Sequence, residues 1–86
     1  MRIVKTKDFK KNFSKLPFSI KKLFETQEKI FQKNWLDSRL HTKRIKELPG
    51  VYSIRITRRY RALFYFDRNG DAIFFAIGHR KEIYRQ

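Results

Sequence analysis

The sequence predicts an α+β domain of element order βααβββ: a small, mostly antiparallel sheet, two N-terminal helices packed on one face, and a short C-terminal helical turn. Three observations carry this. Apolar residues recur at helical spacing from Phe9 to Phe31, the period becomes two after Pro49-Gly50, and Asn69-Gly70 separates two strand-like runs. Residues 1–86 read as one domain, since a chain of this length buries only about 60 % of the surface its unfolded form exposes. Nine Phe, four Tyr and one Trp supply large apolar area per position, which suits a thin core.

The elements follow in order. Ile3-Val4 reads as an opening strand. Thr6 caps a helix in which Phe9, Phe13 and Leu16 form the apolar face, Asp8 opposes the dipole and Pro17 ends the run. A second helix fits Phe18 to Lys33, with Ile20, Leu23, Phe24, Ile30 and Phe31 as its buried stripe. Residues 34–48 lack a clean period and read as a loop with a turn of helix or strand, pinned by Trp35, Leu36, Leu40, Ile45 and Leu48. Three strands then span about Val51 to Thr57, Tyr60 or Arg61 to Asp67, and Asp71 or Ala72 to Gly78. The last is apolar on both faces, so it lies inside the sheet with Ile3-Val4 as its outer neighbour.

Burial sets an expected register. A two-residue loop at Arg58-Arg59 would pair Arg61 with Ile56 on the core face, which a charge resists. A three-residue loop, Arg58 to Tyr60, places Thr57 opposite Arg61. Ile54, Ile56, Ala62, Phe64 and Phe66 then share the core face, while Ser53, Arg55, Thr57, Arg61, Leu63 and Tyr65 share the other. A two-residue Asn69-Gly70 hairpin sets Arg61 opposite Gly78 and adds Ile73, Phe75 and Ile77 to the core.

Net charge is +14, from 22 Lys and Arg against 8 Asp and Glu. Such a surplus opposes folding by self-repulsion and is relieved by a polyanion or an acidic protein. It is uneven: Arg39, Lys43, Arg44, Lys46, Arg55, Arg58, Arg59 and Arg61 face only Glu47 within 39–61. There is no cysteine, so disulfides, thiolate nucleophiles and cysteine-zinc sites are excluded, and two His far apart point to no metal site. No cofactor is implied. The start at Met1-Arg2 leads into no apolar run, so neither a signal peptide nor a membrane span is read, and a cytoplasmic location is expected.

The chemistry that this pattern fits is phosphate chemistry on RNA. RNA carries its own nucleophile, the 2′-hydroxyl, beside the scissile phosphate. Cutting it needs a base for that hydroxyl, an acid for the leaving oxygen and cations for the charge developing on phosphorus. Arg55, Arg61 and Arg80 suit the last role, with Lys43, Arg44, Lys46, Arg58 and Arg59 as further phosphate contacts. His79 and Tyr84 are the proton-transfer candidates, a phenol serving as base only where cations lower its pKa. Parity turns His79 to the Ile77 side, whereas Tyr84, four residues after Arg80, returns to the side of Arg80 if 81–85 is a helical turn. Other readings stay open: a phosphate-tracking surface without catalysis, a strand-end His79 bonded to backbone, and a Tyr84 ring packed on the sheet edge.

Leu48-Pro49-Gly50-Val51-Tyr52-Ser53-Ile54-Arg55, Tyr60-Arg61-Ala62-Leu63-Phe64-Tyr65 and Ile77-Gly78-His79-Arg80-Lys81-Glu82-Ile83-Tyr84, in this order, resemble the RelE/ParE toxin superfamily of type II toxin-antitoxin systems. The resemblance spans nearly the whole chain. It implies a metal-independent endoribonuclease (mRNA interferase) that cuts mRNA in the ribosomal A site, inhibits translation, and is held inactive by a cognate acidic antitoxin in a heterotetramer or larger complex. It further implies that Arg61 stabilises the transition state, that Arg80 is a second phosphate-binding arginine and that Tyr84 is the C-terminal tyrosine. Arg55 falls on one of two strand lysines of that pattern. The other is Ser53 here, which leaves Lys46 or His79 to compensate. The ParE branch, which inhibits DNA gyrase without cutting RNA, is the alternative within the superfamily. A non-catalytic RNA-binding protein of the ribosome is the alternative outside it.

Overall fold

The computed structural model describes residues 1–83. Within them the chain runs β1 (Ile3–Lys5), α1 (Lys7–Ser14), α2 (Phe18–Lys33), a 3-10 turn (Ser38–Leu40), β2 (Lys43–Arg44), β3 (Val51–Arg55), β4 (Tyr60–Phe66), β5 (Ala72–His79) and α3 (Arg80–Ile83). The strands form one sheet in the order β1-β5-β4-β3-β2, parallel only between β1 and β5. The α+β class and the βααβββ order therefore hold. The irregular stretch before Leu48 adds one short strand, β2, which covers part of the edge of β3.

The helices start where local chemistry satisfies their first N–H groups. The Thr6 hydroxyl accepts from the Phe9 N–H at 3.2 Å, and the Pro17 carbonyl accepts from Ile20 and Lys21. Both helices press phenylalanines onto one sheet face. Phe31 meets Phe64 and Phe74 edge-on at 4.9 and 5.1 Å, Phe9 meets Phe74 at 5.9 Å, and Trp35 closes the lower end against Tyr52 and Phe66. Edge-on rings place a positive rim on a negative face, which adds to the burial of their area. Leu23, Leu36 and Leu48, expected to be buried, are instead exposed. Leu23 lies at the margin of the stripe that Phe24 and Phe31 define, while Leu36 and Leu48 occupy turns whose backbone bonds to Asn34 and Ile45 hold them outward.

The register differs from expectation at both hairpins. Arg55, not Thr57, stands opposite Arg61. The three-residue loop is Thr57 to Arg59, one position earlier, because the Thr57 hydroxyl accepts from the N–H groups of Arg59 and Tyr60 and Ile56 N–H donates to the Tyr60 carbonyl. The shift is two residues in pairing, so every face assignment on β3 and β4 survives.

At the second hairpin Asp67, not the Asn-Gly pair alone, shapes the turn. Its carboxylate accepts from Asn69 and Asp71 N–H, both at 2.9 Å, and Gly70 takes φ +79°. That makes a three-residue loop with a left-handed glycine and moves Phe66 opposite Ala72. Phe74, not Phe75, then enters the core together with Ala72. An extra residue in β5, Phe75, breaks the register between Leu63 and Phe64 and restores the expected pairing of Arg61 with Gly78. Ile73 and Phe75 accordingly leave the helix face, and Ile77 stays on it.

The opposite sheet face is not bare. α3 folds back over it, so that Ile83 packs with Leu63 and Ala76, flanked by Ile45, Val51 and Phe75.

Candidate nucleic-acid interface

The β3–β4–β5 register builds the site. Arg55, Arg61 and Gly78 form one row across the face opposite α1 and α2, and Lys43, Ser53, Leu63 and Ala76 form the next. Two arginines directly opposite each other repel, a cost that a bound anion would remove. The Arg55 Nε is buried and has no hydrogen-bond partner among the described residues. The Arg61 Nη1 donates to the carbonyls of Thr57, Arg58 (3.0 Å) and Tyr60 (3.2 Å), so the loop holds that guanidinium in place.

Gly78 contributes by lacking a side chain. A Cβ at this position would lie 3.1 Å from the Ile83 Cγ2, inside normal contact, so glycine lets α3 settle on the strand. The Arg80 N–H donates to the Arg59 carbonyl at 2.7 Å and fixes the β5–α3 joint to the loop that carries Arg58 and Arg59. The side chains of Arg58, Arg59 and Arg80 are exposed at that end of the sheet. Five of the arginines singled out from sequence are thus brought to one end of the sheet.

The remaining candidates separate from this group. Lys43 pairs with Ser53 and shares its face, whereas Arg44 pairs with Tyr52 on the helix side and Lys46 is exposed in the following loop. Ser53 itself is buried. His79 stands opposite Tyr60, with ring centroids 5.6 Å apart, on the side of Ile77 as parity required. Its Nδ1 accepts from the Lys81 N–H at 3.2 Å, which leaves Nε2 to carry the proton of the neutral ring. Tyr84 lies outside the described residues.

Acidic groups pair with cations elsewhere. Asp71 joins Arg2 at 3.3 Å, Glu28 joins Lys5 at 2.7 Å, and Asp37 joins Arg39 at 2.9 Å. Hydrogen bonds from Arg39 hold the Asp37 carboxyl down to about 2, and the Arg2 backbone N–H is the main reason that Asp71 is also lowered. These pairs spend negative charge at the chain start and the 3-10 turn and leave the Arg55–Arg61 end strongly positive. Among the described residues no His, Asp or Glu cluster could hold a metal ion, and no helix is long and apolar enough to cross a membrane.

Two features were missed in the sequence. Lys43 comes to stand beside Ser53 only through the short β2 pairing, which no period announces. Gln27 hydrogen-bonds to carbonyls of two separate segments, and its signal was available as the one polar residue in the stripe of Ile20, Phe24 and Phe31.

No protein-family model and no curated protein sequence matches the chain. Solved structures do. The RelB–RelE antitoxin–toxin complex of Methanococcus jannaschii contains a chain 29% identical over 94% of both chains, with a TM-score of 0.77. YafQ of E. coli BL21(DE3) superposes at 0.79 over 98% of this chain and 99% of its own, at 11% identity, and a chain of the RelE–RelB complex of Pyrococcus horikoshii OT3 at 0.75 over 94% and 96%, at 14%. The latter two show the same fold, while the Methanococcus match adds sequence identity over nearly the full length. On fold, coverage and that identity together, these RelE and YafQ structures support assigning the chain to the RelE-like toxin superfamily.

Proposed function

We propose that this chain is the toxin of a type II toxin–antitoxin pair and that it cuts mRNA on the ribosome by attack of the RNA 2′-hydroxyl on the adjacent phosphate, without a metal ion. The observation that carries this reading is the pairing of Arg55 with Arg61 and of Arg61 with Gly78 at the end of the sheet where the Arg80 backbone is tied to Arg59. Their guanidiniums are always charged and donate in a planar fork, which suits the oxygens of a phosphate that gains charge as the new bond forms. The loop carbonyls that hold Arg61 fix it before substrate arrives, so little reorganisation is needed at the moment of reaction.

Lys43 is the best candidate for the cation missing at Ser53. It stands directly opposite that serine on the same face, one row from Arg55, so the neighbouring strand supplies what β3 lacks. Lys46 projects from a loop and His79 faces Tyr60 on the other side, which makes both weaker substitutes. Proton transfer to the leaving oxygen is assigned to Tyr84 on its place in the sequence. A dependence on the ribosome belongs to the same reading: the ribosome would order the RNA that the exposed Arg58, Arg59 and Arg80 side chains cannot enclose.

An acidic antitoxin follows from the charge, and RelB accompanies RelE in the Methanococcus and Pyrococcus complexes. Primer extension on mRNA in a translating extract tests the reading: A-site cuts are expected, suppressed when the cognate antitoxin is added. Intact mRNA together with gyrase-dependent double-strand breaks would overturn it in favour of gyrase inhibition.

A further inference from the structure

Gln27 sits on the core-facing stripe of α2, on the opposite side of the sheet from the arginine row. Its side-chain amide donates from Nε2 to two carbonyls, Arg39 at 3.1 Å and Arg55 at 2.8 Å. Of the two ends of the amide only the NH2 can donate to carbonyls, so the orientation of the amide is fixed by its partners. The two acceptors belong to segments that the β2–β3 pairing joins only at Lys43 and Arg44, so the amide adds a second tie between the turn before β2 and the far end of β3. One is the end of β3, where Arg55 pairs with Arg61; the other is the 3-10 turn that leads into β2 and Lys43.

The connection from that turn to Lys43 is short and constrained. His41 follows in the left-handed region at φ 47°, and the Thr42 hydroxyl donates to the Trp35 carbonyl at 2.7 Å. Lys43 is the next residue. Moving the Arg39 carbonyl therefore moves Lys43 with it, and moving the Arg55 carbonyl moves the arginine whose buried Nε has no hydrogen bond among the described residues to hold it.

We infer that Gln27 is a positioning residue: one amide on α2 sets Arg55 and the Lys43 strand at a fixed separation, so that both address the same phosphate group of RNA. The inference rests on the reading of this face as an RNA-cleaving site. Gln27 touches no substrate, and its effect passes entirely through the two carbonyls. Misplacement of a catalytic group by about 1 Å can cost ~10²-fold in rate, which sets the scale expected.

The test compares Gln27→Met, of similar shape with no donor, with Gln27→Lys, whose ammonium can donate to both carbonyls. Gln27→Met is expected to cut programmed ribosomes about 10- to 100-fold more slowly in single turnover. The ribosome concentration at half-maximal rate should stay within about twofold, since no substrate contact is lost. Gln27→Lys should recover most of the rate. In parallel, the Arg55 Nε–H signal of the nitrogen-labelled protein should shift in Gln27→Met and return toward its original position in Gln27→Lys. Wild-type cleavage in Gln27→Met, or an unmoved Arg55 signal, would overturn the inference. Should Gln27→Met not fold, Gln27→Asn, one methylene too short to reach both carbonyls, replaces it in both measurements. A wild-type protein that does not cut at all sinks the cleavage reading, and the Arg55 signal still decides whether Gln27 positions that side chain.

Discussion

Replacing Ile83 with alanine should separate the docking of α3 from the stability of the core. Ile83 is 8% exposed and is the buried anchor of a four-residue helix, held against Leu63 and Ala76. The substitution removes three carbons from that contact. At ~0.8 kcal/mol per buried methylene the loss is about 2.4 kcal/mol, or roughly 60-fold in the ratio of docked to undocked α3. The main core, built from Phe9, Phe24, Phe31, Phe64 and Phe74, is on the other side of the sheet and is untouched. Thermal unfolding should therefore shift little, whereas the Arg80 N–H, bonded to the Arg59 carbonyl, should lose protection from hydrogen exchange. Single-turnover cleavage on programmed ribosomes should fall by about 10-fold or more, up to that roughly 60-fold ceiling, because Arg80 leaves the cluster with the helix. Wild-type cleavage with an Arg80 amide still protected would refute the claim that Ile83 holds α3 and that α3 presents Arg80.

Arg61→Ala and Arg80→Ala should each lower cleavage by about 10²-fold or more while leaving the far-ultraviolet circular dichroism spectrum intact, as expected for donors to a developing phosphorane; wild-type rates in both would remove the site. Tyr84→Phe should slow single-turnover cleavage more than His79→Ala, because His79 faces Tyr60 and binds the Lys81 N–H; a pH–rate profile in which only His79→Ala loses its acidic limb would reverse the assignment. The Asp37 carboxyl is held near 2, below its ordinary 3.8, so its bonds to Arg39 stabilise the fold above about pH 4 and that contribution disappears as pH falls toward 2. Asp37→Asn should accordingly melt below wild type at pH 7 and with it at pH 2; equal melting temperatures at pH 7 would show that the pair contributes nothing. Binding of the acidic antitoxin to the folded chain should raise its melting temperature in calorimetry, by the equivalent of about 2.7 kcal/mol at a hundredfold excess over Kd, and separate elution of the two proteins would contradict the pairing.

Helix limits, strand order and the faces of β3 and β4 were legible in the sequence because each depends on local physics. Thr6 caps α1 and Pro17 divides the helices through groups one turn away, and the period of two assigns a face to every residue from Tyr52 to Phe66 whichever even shift the loop takes. The convergence of Arg55 and Arg61 was readable for the same reason. What the tertiary structure alone decided were the places where one side chain outbids a local preference. The Asp67 carboxylate turned an expected two-residue hairpin into three, and Phe75 absorbed the extra residue, which exchanged Phe75 for Phe74 in the core and yet returned Gly78 to Arg61. Likewise Lys43 meets Ser53, Gln27 meets Arg39 and Arg55, and Ile83 covers Leu63 only when segments remote in sequence pack together. Periodicity reports which face a residue takes; which distant residue shares that face is settled by the register and packing of the whole sheet.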